Sequence, residues 1–99
     1  MRVILPHDLS REEVRRRMRA HASEIADFFP AGLAKVTTGW PNDDRMDIIA
    51  EVMGMNIPGG VEVRDKEVVI EMQLPAMLTL MRGPLEHAVR KEGGRLLAP

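Results

Sequence analysis

The chain contains no cysteine, which excludes disulfides, thiolate nucleophiles and cysteine-ligated zinc. Aromatics are almost as scarce, with only Phe28, Phe29 and Trp40. A single-strand-binding surface stacks successive bases on aromatic side chains, so that class of function has little to build on. Neither charge sign is in excess. Lys and Arg number 14 against 15 Asp and Glu, a net charge of −1. The basic field that draws proteins to nucleic acid is therefore missing, and no nucleic-acid partner is expected. Long hydrophobic runs are lacking too. The apolar stretch from Met1 to Pro6 is far too short for a signal peptide. No run approaches the roughly 18 apolar residues of a membrane span. A soluble chain that stays in the cytoplasm is expected.

What is present is an ordinary globular balance, 44% hydrophobic and 29% charged over 99 residues. That length suits a single domain spanning 1–99, with a thin core. Arg2 to Leu5 reads as a short strand limited by Pro6. Ser10 stands three residues before Glu13, the capping-box spacing, so a helix starts there. Val14, Met18, Ala22, Ile25, Ala26 and Phe29 follow at steps of three and four. They predict one apolar stripe on a helix of about five turns, ended by Pro30 and Gly32.

From Leu33 the period changes to two. Ala34, Val36, Thr38 and Trp40 share one face, then Met46, Ile48, Ala50 and Val52 after the Pro41–Asp44 turn. Gly54 permits a reversal, Met55, Ile57, Gly59, Val61 and Val63 alternate next, and Val68, Ile70, Met72 and Leu74 complete the pattern. Short connections predict an antiparallel meander with one buried face. Pro58 and Gly59-Gly60 mark the third of these strands as an edge or a bulged strand. Ala76 to Met81 reads as a short strand or a buried loop. Gly83-Pro84 opens a last helix carrying Leu85, Ala88, Val89 and Leu96. That helix either stops at Gly93-Gly94 or continues because Leu96 and Leu97 bury well. The expected fold is α+β, an antiparallel sheet with an N-terminal and a C-terminal helix on one face, in the order β-α-β-β-β-β-α.

Residues that could carry chemistry do not assemble into a recognisable pattern. His7, His21 and His87 share no ligand spacing, and Asp43, Asp44 and Asp47 lack the distal Glu of a calcium loop. Ser10 and Ser23 lie outside any G-x-S-x-G elbow, and no phosphate-binding loop follows the glycines. Glu51 and Glu71 fall on the solvent face of the expected sheet. No enzyme, metal or cofactor is expected. Arg15, Arg16, Arg17 and Arg19 form the one basic cluster. Glu12–Arg16 and Glu13–Arg17 are favourable i, i+4 pairs, so a solvated, ion-paired face is the default. Arg15, Arg16 and Arg19 are the candidates for contact with an anionic surface. The apolar candidates for a partner or polymer contact are Ile49, Met53 and Val69 on the outer face, and Met77, Leu78, Leu80 and Met81 before the last helix. Core filling is the competing use for that last run, as for the other methionines.

Six phrases in register add a family resemblance. They are Ile4–Glu13 (ILPHDLSREE), Ala50–Met55 (AEVMGM), Gly60–Val63 (GVEV), Glu71–Pro75 (EMQLP), Arg82–Glu86 (RGPLE) and Arg95–Ala98 (RLLA). In that order the chain resembles the putative polyhydroxyalkanoic acid system protein family. It departs from the family pattern at Pro58-Gly59 and between Met77 and Pro84. The resemblance implies a likeness to small helix-grip folds and a link to polyhydroxyalkanoate storage granules. It supplies no catalytic residues. The expected function is a non-enzymatic accessory or regulatory protein that binds a granule surface or a granule protein. The alternative is a small carrier of an apolar or hydroxyacyl ligand in a cavity between sheet and helix. Homodimerisation through an open sheet edge is compatible with either.

Overall fold

In the computed structural model, residues 1–28 and 34–99 are described. The expected Phe29 contact, the Pro30 and Gly32 helix stop and the strand start at Leu33 fall outside these residues. The elements run β1 (Arg2–Pro6), α1 (Arg11–His21), β2 (Ala34–Asn42), β3 (Arg45–Val52), β4 (Met55–Val63), β5 (Glu67–Met72) and α2 (Arg82–Leu96). Two 3₁₀ segments are inserted, η1 (Ala22–Phe28) after α1 and η2 (Ala76–Met81) before α2. The α+β order expected from the sequence is the order observed.

All five strands form one antiparallel sheet in the order β1-β5-β4-β3-β2. The period-two pattern sorts its two faces. Val3, Leu5, Met46, Ile48, Ala50, Val52, Ile57, Val61, Val63, Val68 and Met72 lie in one buried cluster. Val14 and Met18 of α1, Leu78 of η2 and Leu85 and Val89 of α2 close that cluster from above. Ala34, Val36 and Ile70 are half-buried at its margin. Both helices therefore cover the same face, as a sheet with one apolar side requires.

Ser10 caps α1 as its spacing predicts, its Oγ accepting the Glu13 amide at 3.1 Å. The reciprocal half of the capping box is absent. The Glu13 carboxylate turns instead to the guanidinium groups of Arg16 and Arg17. This also corrects the expected Glu12–Arg16 pair, because Glu13 has two arginines within one turn and outcompetes Glu12 for Arg16. The five-turn helix is likewise corrected. Regular α-helix ends at His21 and tightens into η1, which brings Ala22 and Ile25 to the core margin.

β4 was expected at an edge or with a bulge. It is central and unbulged, paired from Met55 to Glu62 with β3 and from Gly59 to Val63 with β5. The proline is tolerated because of where β5 ends. Pro58 accepts from the Gln73 amide on the β5 side, so its missing N–H faces the point at which the neighbour leaves the sheet. The register irregularity instead lies in β2, between Gly39 and Asn42, next to Pro41. The edge strands are β1 and β2. Pro6 in the first, and Pro41 with the irregularity in the second, shorten the stretch open to a further strand.

α2 runs without a break through Gly93-Gly94 to Leu96. A Cβ at Gly93 would meet Leu5 Cδ1, whereas one at Gly94 would meet nothing. Gly93 thus lets the helix approach β1 closely. Gly94→Ala is expected to raise stability by about 1 kcal/mol through helix propensity alone. Gly93→Ala is expected to show no gain, because displacing the buried Leu5 offsets that benefit. Thermal melts of the two variants check the contrast.

Candidate functional site

Three surfaces could carry function: the apolar end of the sheet, the arginine face of α1, and a cleft between the helices.

The apolar end is built by two turns of different geometry. Between β3 and β4, Met53 has φ of 53° and Gly54 has φ of 77°. Positive φ at both central residues defines the type I′ hairpin, which favours Asn-Gly. A methionine there has its Cβ crowded against the following carbonyl, at a cost of about 1 kcal/mol. The second turn is η2. With 3.0 residues per 3₁₀ turn, residues three apart eclipse each other. Met77 and Leu80 consequently share the outer side, while Leu78 and Met81 share the inner one. Fractional exposure follows this division: Met77 is 76% exposed and Leu80 93%, against 4% for Leu78. Met81 is half-buried against the core. The segment is neither a strand nor a uniformly buried loop.

Both turns lie toward the same end of the sheet, β5 leaving its ladder at Gly59, four residues short of Met55. Val52 pairs with Met55 beside the Met53 turn, and β5 ends at Met72 opposite Gly59, leading into η2. Met53, 68% exposed, thus joins Met77 and Leu80 at that end, with Ile49 at 49% on the adjoining outer face. Val69 and Leu78, both expected as contact candidates, are corrected. Val69 is 2% exposed, in a strand flanked by Ile4 of β1 and Glu62 of β4, and Leu78 belongs to the core. Met53→Asn is expected to stabilise the protein by about 1 kcal/mol, since Asn tolerates the left-handed conformation. Urea unfolding tests this.

Elsewhere the outer face of the sheet carries charges that neutralise one another. Arg2 lies 3.3 Å from Glu71, Arg45 bonds Asp47 at 3.0 Å, and Arg64 bridges Glu62 and Glu67. The Arg45 guanidinium rests over Gly60, in the space a Cβ would fill. Glu51 and Glu71 are exposed on this face.

The arginines of α1 are mostly engaged within the chain. Arg15 donates to Asp44 Oδ1, and Arg11 spans Asp44 and Asp65. Asp44 is held below the usual carboxylate range, chiefly by the Arg15 hydrogen bond. Arg16 is bonded to Glu13, and Arg19 stacks 4.1 Å over the Trp40 ring centroid. Arg15, Arg16 and Arg19 each meet a partner within the chain, while Arg16 and Arg19 stay exposed. Arg17 holds the tertiary structure together. It donates to the carbonyls of Leu96 and Ala98 at 2.9 and 2.5 Å, capping the end of α2 from α1.

Glu13 is lowered from an ordinary 4.5 to about 2, first by its hydrogen bond from Arg16, then by that from Arg17. The unfolded chain takes up this proton near 4.5, the folded chain only near about 2. Stability from the ionised pair is thus complete above 4.5 and lost as pH falls towards about 2. Acid titration followed by circular dichroism is expected to show this loss, and Glu13→Gln is expected to shallow it.

The histidines are separated. His7 is buried at the β1–α1 junction, its Nδ1 accepting the Leu9 amide at 3.2 Å and its Nε2 donating to the Arg64 carbonyl at 3.0 Å. Both of its nitrogens serve the fold. His21 bonds Glu24 at 2.7 Å on the surface. Among the described residues, no three His, Asp or Glu side chains converge on a metal position. No described helix is long and apolar enough to cross a membrane.

The third surface is a cleft of about 1030 Å³ between α1–η1 and α2. Its floor is the sheet, with Met46, Val61, Val68 and Ile70 beneath the opening. A cavity between sheet and helix was the alternative expected from the sequence; its extent depends on how far apart the two helices sit, which periodicity does not fix.

These features define a small α+β protein with an open antiparallel sheet, two covering helices and an apolar end. Residues 1–97 match the family described as putative polyhydroxyalkanoic acid system protein. The chain belongs to that family. No curated protein and no solved structure matches it.

Proposed function

We propose that the chain is a non-enzymatic accessory protein of the polyhydroxyalkanoate system, acting in the cytoplasm by binding the storage granule. The contact is the end of the sheet bearing Met53, Met77 and Leu80, with Ile49 beside it. The observation that carries this reading is Met53: a large apolar side chain stands in water on a backbone conformation that disfavours it. Strain at an exposed position persists where function requires the side chain. Family membership supplies the storage system, and apolar polymer is the surface such an end would leave water to meet.

The test is co-sedimentation with purified native granules and with protein-free polymer particles, from low to high salt. Pelleting with both, undiminished by salt, is the expected result, because apolar contacts are not screened. Pelleting with native granules alone would move the contact to a granule protein. A chain that stays in the supernatant at every salt concentration would overturn the proposal.

A further inference from the structure

The cleft between the helices lies on the opposite face of the sheet from Ile49, and the proposed granule contact makes no use of it. We propose that it binds a single-chain amphiphile with an anionic head, such as a medium-chain carboxylate, tail on the sheet and head at Lys91.

The shape comes from the packing. α1–η1 lies towards β2 and β4, α2 lies towards β1, and the opening between them descends to the sheet. At about 1030 Å³ the space reaches the upper end of the range of about 300–1,000 Å³ usual for small-molecule sites. Below, it is apolar: Val61, Val68 and Ile70 form the floor, Ile25 one wall and Leu96 the other. Arg17 fixes the walls relative to each other by tying α1 to the Leu96 and Ala98 carbonyls. A preformed apolar trough suits a flexible hydrocarbon chain better than a flat polar molecule.

Charge at the mouth selects the head. Arg16 and Arg17 share Glu13, His21 holds Glu24, and Arg95 faces Glu92 at 3.5 Å. Lys91 and Asp27 are the rim charges with no ion pair among the described residues. Lys91 sits within a turn of Ala88 and Glu92 on α2, and its four-carbon stem can lie along a bound chain while its ammonium meets the head. With the Glu13 carboxylate that Arg16 and Arg17 share, four cations face four anions around the rim, so the mouth carries no net charge and Lys91 alone supplies the attraction for an anionic head.

The experiment titrates the intact protein with decanoate, decanol and decylamine below their aggregation limits, following backbone amide shifts by NMR. Decanoate is expected to perturb Met46, Val61, Ile70 and Leu96 and to bind about tenfold more tightly than decanol. Lys91→Glu is expected to weaken decanoate about tenfold more than it weakens decanol, removing that advantage. Ala88→Phe, which fills the trough, is expected to weaken both, with its thermal melt confirming a folded chain. Shifts confined to Met53, Met77 and Leu80 would overturn the proposal, as would tighter binding of decylamine. So would a cleft already closed by a second copy, seen as a doubled mass and no ligand response. Granule sedimentation reads the other end of the protein, so the two proposals can fail separately.

Discussion

Gly59→Ala is expected to lower stability by about 3 kcal/mol, at the upper end of the usual overpacking cost. Gly59 lies on the core face of β4, between Ile57 and Val61, and pairs with Ile48 on one side and Met72 on the other. A Cβ at this position would collide with the Glu71 carbonyl oxygen and with Met72 Sδ. The sulfur could swing aside, but the carbonyl is part of the β5 ladder and has nowhere to go. For a chain of this size the loss corresponds to a fall of roughly 12–20 °C in melting temperature. Gly39→Ala is the matched control. It is also a strand glycine, yet a Cβ there meets nothing, so a change within about 0.5 kcal/mol is expected. Equal tolerance at both positions would mean that β4 and β5 do not approach as described.

The second large effect concerns adhesion. The triple substitution Met53→Ser, Met77→Ser, Leu80→Ser is expected to weaken binding to polymer particles by roughly a thousandfold. Fully burying each side chain contributes about 1.5 kcal/mol at the low end, so three give about 4.5 kcal/mol, and every 1.4 kcal/mol is tenfold. Stability should scarcely change, since all three side chains already stand in water. Affinity measured on a polymer-coated sensor, with urea unfolding alongside, separates the two quantities. Met53→Asn alone should make the protein more stable and less adhesive, the trade expected where strain serves binding.

Much of the architecture was legible because it rests on local periodicity. Alternation from Ala34 to Met72 placed Ile48, Val61 and Val68 inward, and the Ser10–Glu13 spacing located the start of α1 to the residue. The errors share a cause: each depended on what another element does. Pro58 suggests an edge when read alone, but it is admitted to a central strand because β5 stops at Met72. Gly93-Gly94 left a break and a continuous helix both open, and the close approach of Leu5 shows what the glycine at 93 is for. Leu78 and Leu80 are alike in sequence, and only the 3.0-residue repeat of η2 sends one inward and the other out. The arginines of α1 were expected to be ion-paired, and the Glu13–Arg17 pair was legible from spacing, but Asp44 as the partner of Arg11 and Arg15 was not, because it lies some thirty positions away. Of the candidate contact residues, Ile49, Met53, Met77 and Leu80 are presented to solvent, whereas Val69, Leu78 and most of Met81 are not. The cleft lies where the alternative reading put a cavity between sheet and helix, but its size and lining depend on helix placement that periodicity does not fix.

The absence of cysteine permits a direct test of which end meets the granule. Single cysteines placed by Leu80→Cys and by Asp65→Cys, in the β4–β5 turn at the far end, can each carry an environment-sensitive fluorophore. The nine residues of β4 hold the two ends about 27 Å apart, at about 3.4 Å per residue. On adding granules, a blue shift at position 80 with none at 65 is expected. A shift at 65 alone, or equal shifts at both, would contradict adhesion through the Met53–Leu80 end.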